Sequence, residues 1–182
     1  MKIIKELLSA IILKNESLRA INDYSIKKVF VFFIVTNLLF PFTYNVCYLF
    51  VKQIINMRSI LTLSYFIMWN ILINLSLFLS LWLIFFVTYR LKLRLFFNAV
   101  VFMNLLQPLE VFLSYTINNL LITVFFIIYD VFFVTEFIKV NIGNSELSKK
   151  QIILYVLIAF LFVYIFLSVT ENTYMLYGEK LF

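Results

Sequence analysis

Residues 90–139 read RLKLRLFFNAVVFMNLLQPLEVFLSYTINNLLITVFFIIYDVFFVTEFIK. The stretch opens on a basic cluster, Arg90, Lys92 and Arg94, then runs apolar from Leu95 to Tyr115. It turns at Thr116–Asn119, runs apolar again from Leu120 to Ile138, and closes on Lys139. About 20 apolar residues of helix cross the ~30 Å of bilayer hydrocarbon. A helical hairpin that spans the membrane twice is therefore expected. It carries three acidic side chains that lipid normally excludes, Glu110, Asp130 and Glu136.

The rest of the chain fits the same solvent. Its 182 residues are 64% hydrophobic and 13% charged, against roughly half apolar and a quarter charged in soluble domains. No water-soluble core of this length hides so much apolar surface, so lipid must cover it. The 23 Phe and 11 Tyr, with much Ile, Leu, Lys and Asn, also fit AT-rich coding. Single aromatics and asparagines therefore carry less meaning than usual. One cysteine and no histidine leave no internal disulfide and no transition-metal site.

Apolar side chains at Ile3, Ile4, Leu7, Leu8, Ile11 and Ile12 form one face of a short helix, with Lys2, Lys5, Glu6 and Ser9 opposite. Such a leader is expected to lie in the headgroup plane, with Leu7 and Leu8 in lipid and Lys2 and Lys5 near anionic headgroups. Its apolar core is short and no small-residue cleavage site follows, which favours a surface helix over a signal peptide. A second amphipathic piece, Leu18–Tyr24, leads to Lys27 and Lys28 at the membrane edge.

The expected architecture is all-α: a polytopic bundle of five spans near 29–50, 62–88, 95–115, 119–139 and 151–169. A leader (1–28) precedes it and a short tail (171–182) follows. Pro41 should kink the first span, since proline removes a backbone donor. Gly143 suits a helix C-terminus. Ser148 and Gln151 have the spacing of a capping box.

Charge sets the orientation. With the N-terminus in the cytoplasm, twelve Lys and Arg fall in cytoplasmic segments and three outside. That bias places the leader in the cytoplasm and the tail beyond the membrane. It also accounts for the formal charge of +6 without any nucleic-acid partner.

The order of parts resembles the Yip-domain family of five-span membrane proteins. Met1–Ile21 is similar to the amphipathic approach of the bacterial members. Arg90–Pro108 looks like their basic turn and proline-bearing span. Phe137–Gln151, ending Ser-Glu-Leu-Ser-Lys-Lys-Gln, resembles the polar turn before their last span. The resemblance is to the bacterial branch, because the Asp-Leu-Tyr-Gly-Pro-type segment of eukaryotic members is missing. It implies five spans in a bacterial cytoplasmic membrane and a role in holding partners.

The known intramembrane chemistries lack their residues. An aspartyl protease needs two carboxylates sharing a proton, yet one of the two aspartates, Asp23, precedes the first span. Serine and metalloprotease mechanisms need a histidine. With glycine only at 143 and 178, no phosphate-cradling loop can form. No catalytic residue and no cofactor is expected.

What remains is polar side chains in the spans. Glu136 precedes Lys139 by three residues and should pair with it near the surface. Glu110 lies about one turn from the outer end, after Pro108. Asp130 is about mid-span with no base in reach, so it is either protonated and hydrogen-bonded or faces a wet cavity. Folding the hairpin near residue 117 puts Asp130 level with Asn104, so it is expected to face the bundle interior beside Asn104 or an equivalent polar residue on a neighbouring span. Asn37, Asn45, Asn98 and the one-turn pair Asn70 and Asn74 are expected to tie helices together. Two functions stay open: a non-catalytic scaffold or adaptor binding partner proteins or lipid, and a small transporter using Asp130 and Glu110.

Overall fold

The computed structural model describes residues 2–52, 57–89, 91–117, 120–142 and 147–178. Among these residues all regular structure is helical. Two short helices come first, α1 (Lys2–Ile11) and α2 (Asn15–Asn22). Two long ones follow, α3 (Ile26–Lys52) and α4 (Met57–Tyr89). The third span is built of α5 (Leu93–Met103), a 3-10 turn (Asn104–Leu106) and α6 (Gln107–Ile117). The last two are α7 (Leu120–Ile142) and α8 (Lys149–Gly178), the latter running past the expected span end at 169. Among the described residues five segments are long and apolar enough to cross a membrane: Ile26–Thr43, Ile67–Val87, Leu93–Leu113, Leu121–Ile142 and Lys149–Phe166. The chain is thus an integral membrane protein of the five-span, all-helical kind. Gly143 lies outside the described residues.

The third span is the middle of the bundle. Of its residues 56% are buried, against 22–33% for the other four spans. Helices α3, α4, α8 and α7 follow one another around it, each packed on the next, while α5 and α6 touch α3 and α7 and α5 also touches α4. Lipid offers no hydrophobic drive for helices to associate, so close packing must hold them. With two glycines in the chain, narrow small-residue crossings are not available and aromatic side chains fill wider gaps. Phe97 meets Phe33 at 5.5 Å and Phe78 at 5.6 Å, joining the first three spans. Phe85 meets Phe96 at 5.2 Å and Tyr155 at 5.4 Å, joining the second, third and fifth. The outward faces of α3 and α8 are apolar and exposed, as at Phe30, Ile34, Leu157 and Phe162.

The break in the third span follows from Pro108. Proline cannot donate to the carbonyl four residues back, which here is Asn104. The amide of Gln107 takes that carbonyl instead, closing the tighter 3-10 turn. Pro41 has a different outcome: α3 continues through it as one helix. At the start of α8 the capping box forms. Ser148 N donates to Gln151 Oε1 at 2.9 Å, and Gln151 N donates to Ser148 Oγ at 3.3 Å.

The leader departs most from expectation, because it is built into the bundle. Ala10, Leu18, Ile21 and Tyr24 belong to the same buried core as Phe96, Phe102, Phe133 and Phe137. Leu7 packs against that core rather than facing lipid, while Leu8 on the same helix is 60% exposed. Lys5 is exposed; the side chain of Lys2 lies outside the described ones. Ile3 and Ile12 share the outward face with Leu8. An amphipathic helix thus has apolar residues on both flanks here, one for protein and one for lipid. A left-handed Leu13 (φ 58°) ends α1, with Lys14 N donating to Ser9 O and Leu13 N to Ala10 O. That double bond pattern usually takes glycine at the left-handed position. Leucine holds it here with its side chain packed on the core.

Two bonds fix how far the leader reaches. Asn141 Nδ2 donates to Leu18 O at 3.3 Å, and Tyr129 Oη donates to Ile11 O at 2.8 Å. Their anchors on α7 lie twelve residues apart, about 18 Å of helix. The end of α1 therefore lies beside the middle of the fourth span, well below the plane expected for a headgroup helix. Its polar face is provided for as well: Tyr24 Oη donates to Glu6 Oε2 at 2.6 Å. Burial and the adjacent Glu6 carboxylate push the Tyr24 hydroxyl well above its usual range, which keeps it a donor. Lys28 Nζ lies over the same ring at 3.7 Å from its centroid.

Candidate functional site

Helix α2 ends at Asn22, and the last carbonyls of any helix need partners from elsewhere. Three side chains from other helices bond carbonyls in α2 or just beyond it. Arg94 Nη2 donates to Asn22 O at 3.2 Å and also to Tyr24 O. Asn98, one turn along α5, donates Nδ2 to Asn22 O at 3.0 Å and to Asn22 Oδ1 at 3.1 Å. Asn141 holds Leu18 O, as above, and its own helix at Phe137 O, 2.8 Å. The docked end of α2 leaves a cleft of about 420 Å³ between itself, the first turn of α5 and the last turn of α7. Asn22, Asp23, Lys92, Arg94 and Asn141 give it polar walls, and Leu91, Leu95 and Ile142 give it an apolar side.

Both spans that border the cleft begin or end there, at Leu93 and at Ile142. The cleft therefore sits at the edge of the hydrocarbon, where headgroups lie. Lys92 occupies the N-cap position of α5, with no side-chain bond to the first-turn amides. Lys92, Arg94 and Asp23 are all exposed. Two cations and the positive end of a helix dipole can engage a phosphate group, and the one carboxylate, Asp23, opposes it.

A second polar layer lies deeper. Asn37, Asn74 and Asn104 are each at most 1% exposed and Asn70 is 4% exposed. Asn74 Nδ2 donates to Asn37 Oδ1 at 3.0 Å, tying the second span to the first. Asn37 in turn donates to Phe33 O at 2.8 Å. Asn70 Nδ2, Asn74 Oδ1, both amide atoms of Asn104 and Gln107 Oε1 are buried without a protein partner among the described residues. The side chain of Asn45 lies outside the described ones.

Asp130 does not bond to Asn104, whose amide is unpaired. It is half-buried on α7 and within electrostatic reach of Glu110, on α6, instead. The 3-10 turn explains the change. It advances about 120° per residue rather than 100°, so three residues rotate all that follows by about 60°. Glu110 lies beyond that turn and Asn104 opens it.

Glu136 pairs with Lys149, at the start of α8, and not with Lys139. It faces the packed seam between α7 and α8, whereas Lys139 points outward and is exposed. Asn22, Tyr24 and Asn141 were not singled out by sequence. Their only signal is position, polar residues at the ends of apolar helices. Among the described residues no three Cys, Asp or Glu side chains come together as a metal-binding group.

Compared with protein-family models, with curated proteins and with solved structures, the chain matches none.

Proposed function

We propose that this chain is a non-catalytic membrane scaffold or adaptor of the Yip-like type, holding a partner protein or lipid at its leader face. The observation that carries the reading is the leader itself. Its inner flank is anchored by Arg94, Asn98, Tyr129 and Asn141, so its outer flank, Ile3, Leu8 and Ile12, is presented in fixed register. Holding a short helix rigidly at a bundle edge lowers the entropy cost of binding to it. A photocrosslinking residue placed at Leu8 or Ile12 should give one discrete protein adduct in native membranes, and one at Leu157 lipid adducts alone. Lipid adducts at all three positions would remove the adaptor reading.

Orientation belongs to the same proposal. Lys27, Lys28, Lys92, Arg94, Lys149 and Lys150 gather at the leader end of the spans. A reporter fused after Ser148 should therefore read cytoplasmic, and one fused after Ile117 outside. The opposite pattern would invert the protein in its membrane, taken here to be a bacterial cytoplasmic membrane.

The transport reading draws on Glu110 and Asp130 lying within electrostatic reach of each other on adjoining spans. It requires Asp130→Asn to abolish solute flux into reconstituted vesicles while the fold stays intact. The scaffold reading requires the same variant to hold its partner as the parent does.

A further inference from the structure

The cleft at the end of α2 has a charge pattern that the scaffold reading does not use. Arg94 spends one nitrogen, Nη2, on both of its carbonyls, which leaves Nη1 and Nε for a ligand. Lys92 stands at the mouth of the same cleft, over the uncapped first turn of α5. A phosphate placed here meets two cations at the positive end of the α5 dipole, where Leu95 N is already bonded to Lys92 O. Asp23, on the α2 side, would repel a ligand that carried negative charge alone. Beside it Asn141 offers its amide oxygen, since its nitrogen is committed to Leu18 O and Phe137 O. Leu91, Leu95 and Ile142 form the apolar side, where the bordering spans enter the hydrocarbon.

We propose that this cleft binds the headgroup of an aminophospholipid, a phosphate diester with a primary ammonium nearby. Lys92 and Arg94 take the phosphate, Asp23 and Asn141 take the ammonium, and the glycerol end leaves along Leu95 and Ile142. The volume of about 420 Å³ suits such a group, since small-molecule sites run from about 300 to 1,000 Å³. A primary ammonium donates three hydrogen bonds and a quaternary one donates none, so Asp23 distinguishes ethanolamine from choline headgroups. The same carboxylate disfavours a glycerol headgroup, which brings a phosphate and no cation. The site stands whether the protein is a scaffold or a transporter.

The test uses the full chain in vesicles of equal parts phosphatidylethanolamine, phosphatidylcholine and phosphatidylglycerol. Lipid retained after gentle extraction is read by native mass spectrometry. Phosphatidylethanolamine should be retained several-fold over either competitor. Lys92→Ala should lower its retention about tenfold, the loss of one charge-assisted bond. Asp23→Asn should keep phospholipid binding but erase the preference for ethanolamine over glycerol headgroups. Both side chains are exposed, so neither change should disturb the fold. Equal retention of the three lipids, or a preference untouched by Asp23→Asn, would overturn the proposal. Soluble O-phosphoethanolamine serves as the second probe. If it binds while no lipid is retained, the ligand is a free phosphoamine and the lipid assignment fails.

Discussion

Phe102→Ala should release the leader from the bundle while all five spans still insert. Phe102 is 1% exposed, and its ring meets Tyr24 at 5.9 Å and Phe32 at 5.4 Å. Tyr24 and Phe32 also stack on each other at 6.2 Å, so three rings close one joint between leader, first span and third span. Truncating a buried phenylalanine to alanine costs about 3–5 kcal/mol, and the surrounding rings cannot collapse fully onto the space. Each 1.4 kcal/mol is tenfold in an equilibrium, so the undocked population should rise by about two orders of magnitude or more. Lys14 and Arg19 are exposed. Trypsin cleavage after them reports the change, and its rate should climb in step. Span insertion depends on apolar length and should not change. A cleavage rate equal to that of the parent chain would show that the ring cluster does not hold the leader.

Arg94→Met is the second large effect. Methionine keeps a stem of similar length but removes every donor. Tyr24 O then loses its only side-chain donor among the described residues, while Asn22 O keeps Asn98. Removing a charged donor from a partly buried acceptor costs about 1.5–3 kcal/mol. Leader cleavage should rise about tenfold to a hundredfold. Arg94→Lys should recover part of this, because an ammonium keeps the charge and several donors on one nitrogen but lacks the fixed geometry of the guanidinium that holds both carbonyls. If Arg94→Met and Arg94→Lys behave alike, the charge alone contributes nothing and the guanidinium's bonding geometry holds the joint.

The fold was legible because span length and apolar content are local properties. The run from Leu95 to Tyr115 and that from Leu120 to Ile138 needed no partner to be read as helices. The capping box at Ser148 and Gln151 is equally local, and so is the carbonyl that Pro108 orphans. Partner choice was not legible. The periodicity of Ile3, Leu7, Leu8 and Ile12 gives a helix with an apolar face, and lipid and protein satisfy such a face equally well. The distant Tyr129 and Asn141, whose donors need acceptors, hold the leader along the flank of α7, with Arg94 and Asn98 holding its end on α5. Asp130 was matched to Asn104 by counting along two straight helices, and the 3-10 turn at Asn104–Leu106 breaks that count. Glu136 was matched to Lys139 within its own helix, yet Lys149 reaches it from the next. Spacing within a helix limits which side chains can meet, and packing between helices selects among them.

The central claim is that the leader is part of the bundle rather than a helix resting on the membrane surface. Asn22 and Asn98 test it most directly, since their side chains meet at 3.1 Å across the joint between α2 and α5. Side chains bonded through their amides hold their Cβ atoms further apart than the ~3.8 Å of a direct disulfide, within reach of a short bifunctional thiol crosslinker. The single native thiol, Cys47, is first replaced by serine. Asn22→Cys and Asn98→Cys are then introduced together, and the protein is treated in native membranes with a short bifunctional thiol crosslinker. The docked leader predicts near-complete loss of free thiol through an intramolecular crosslink, with no crosslink for a Leu8→Cys and Asn98→Cys pair. Two thiols that stay free and react with a labelling reagent would place the leader away from the third span and contradict the account.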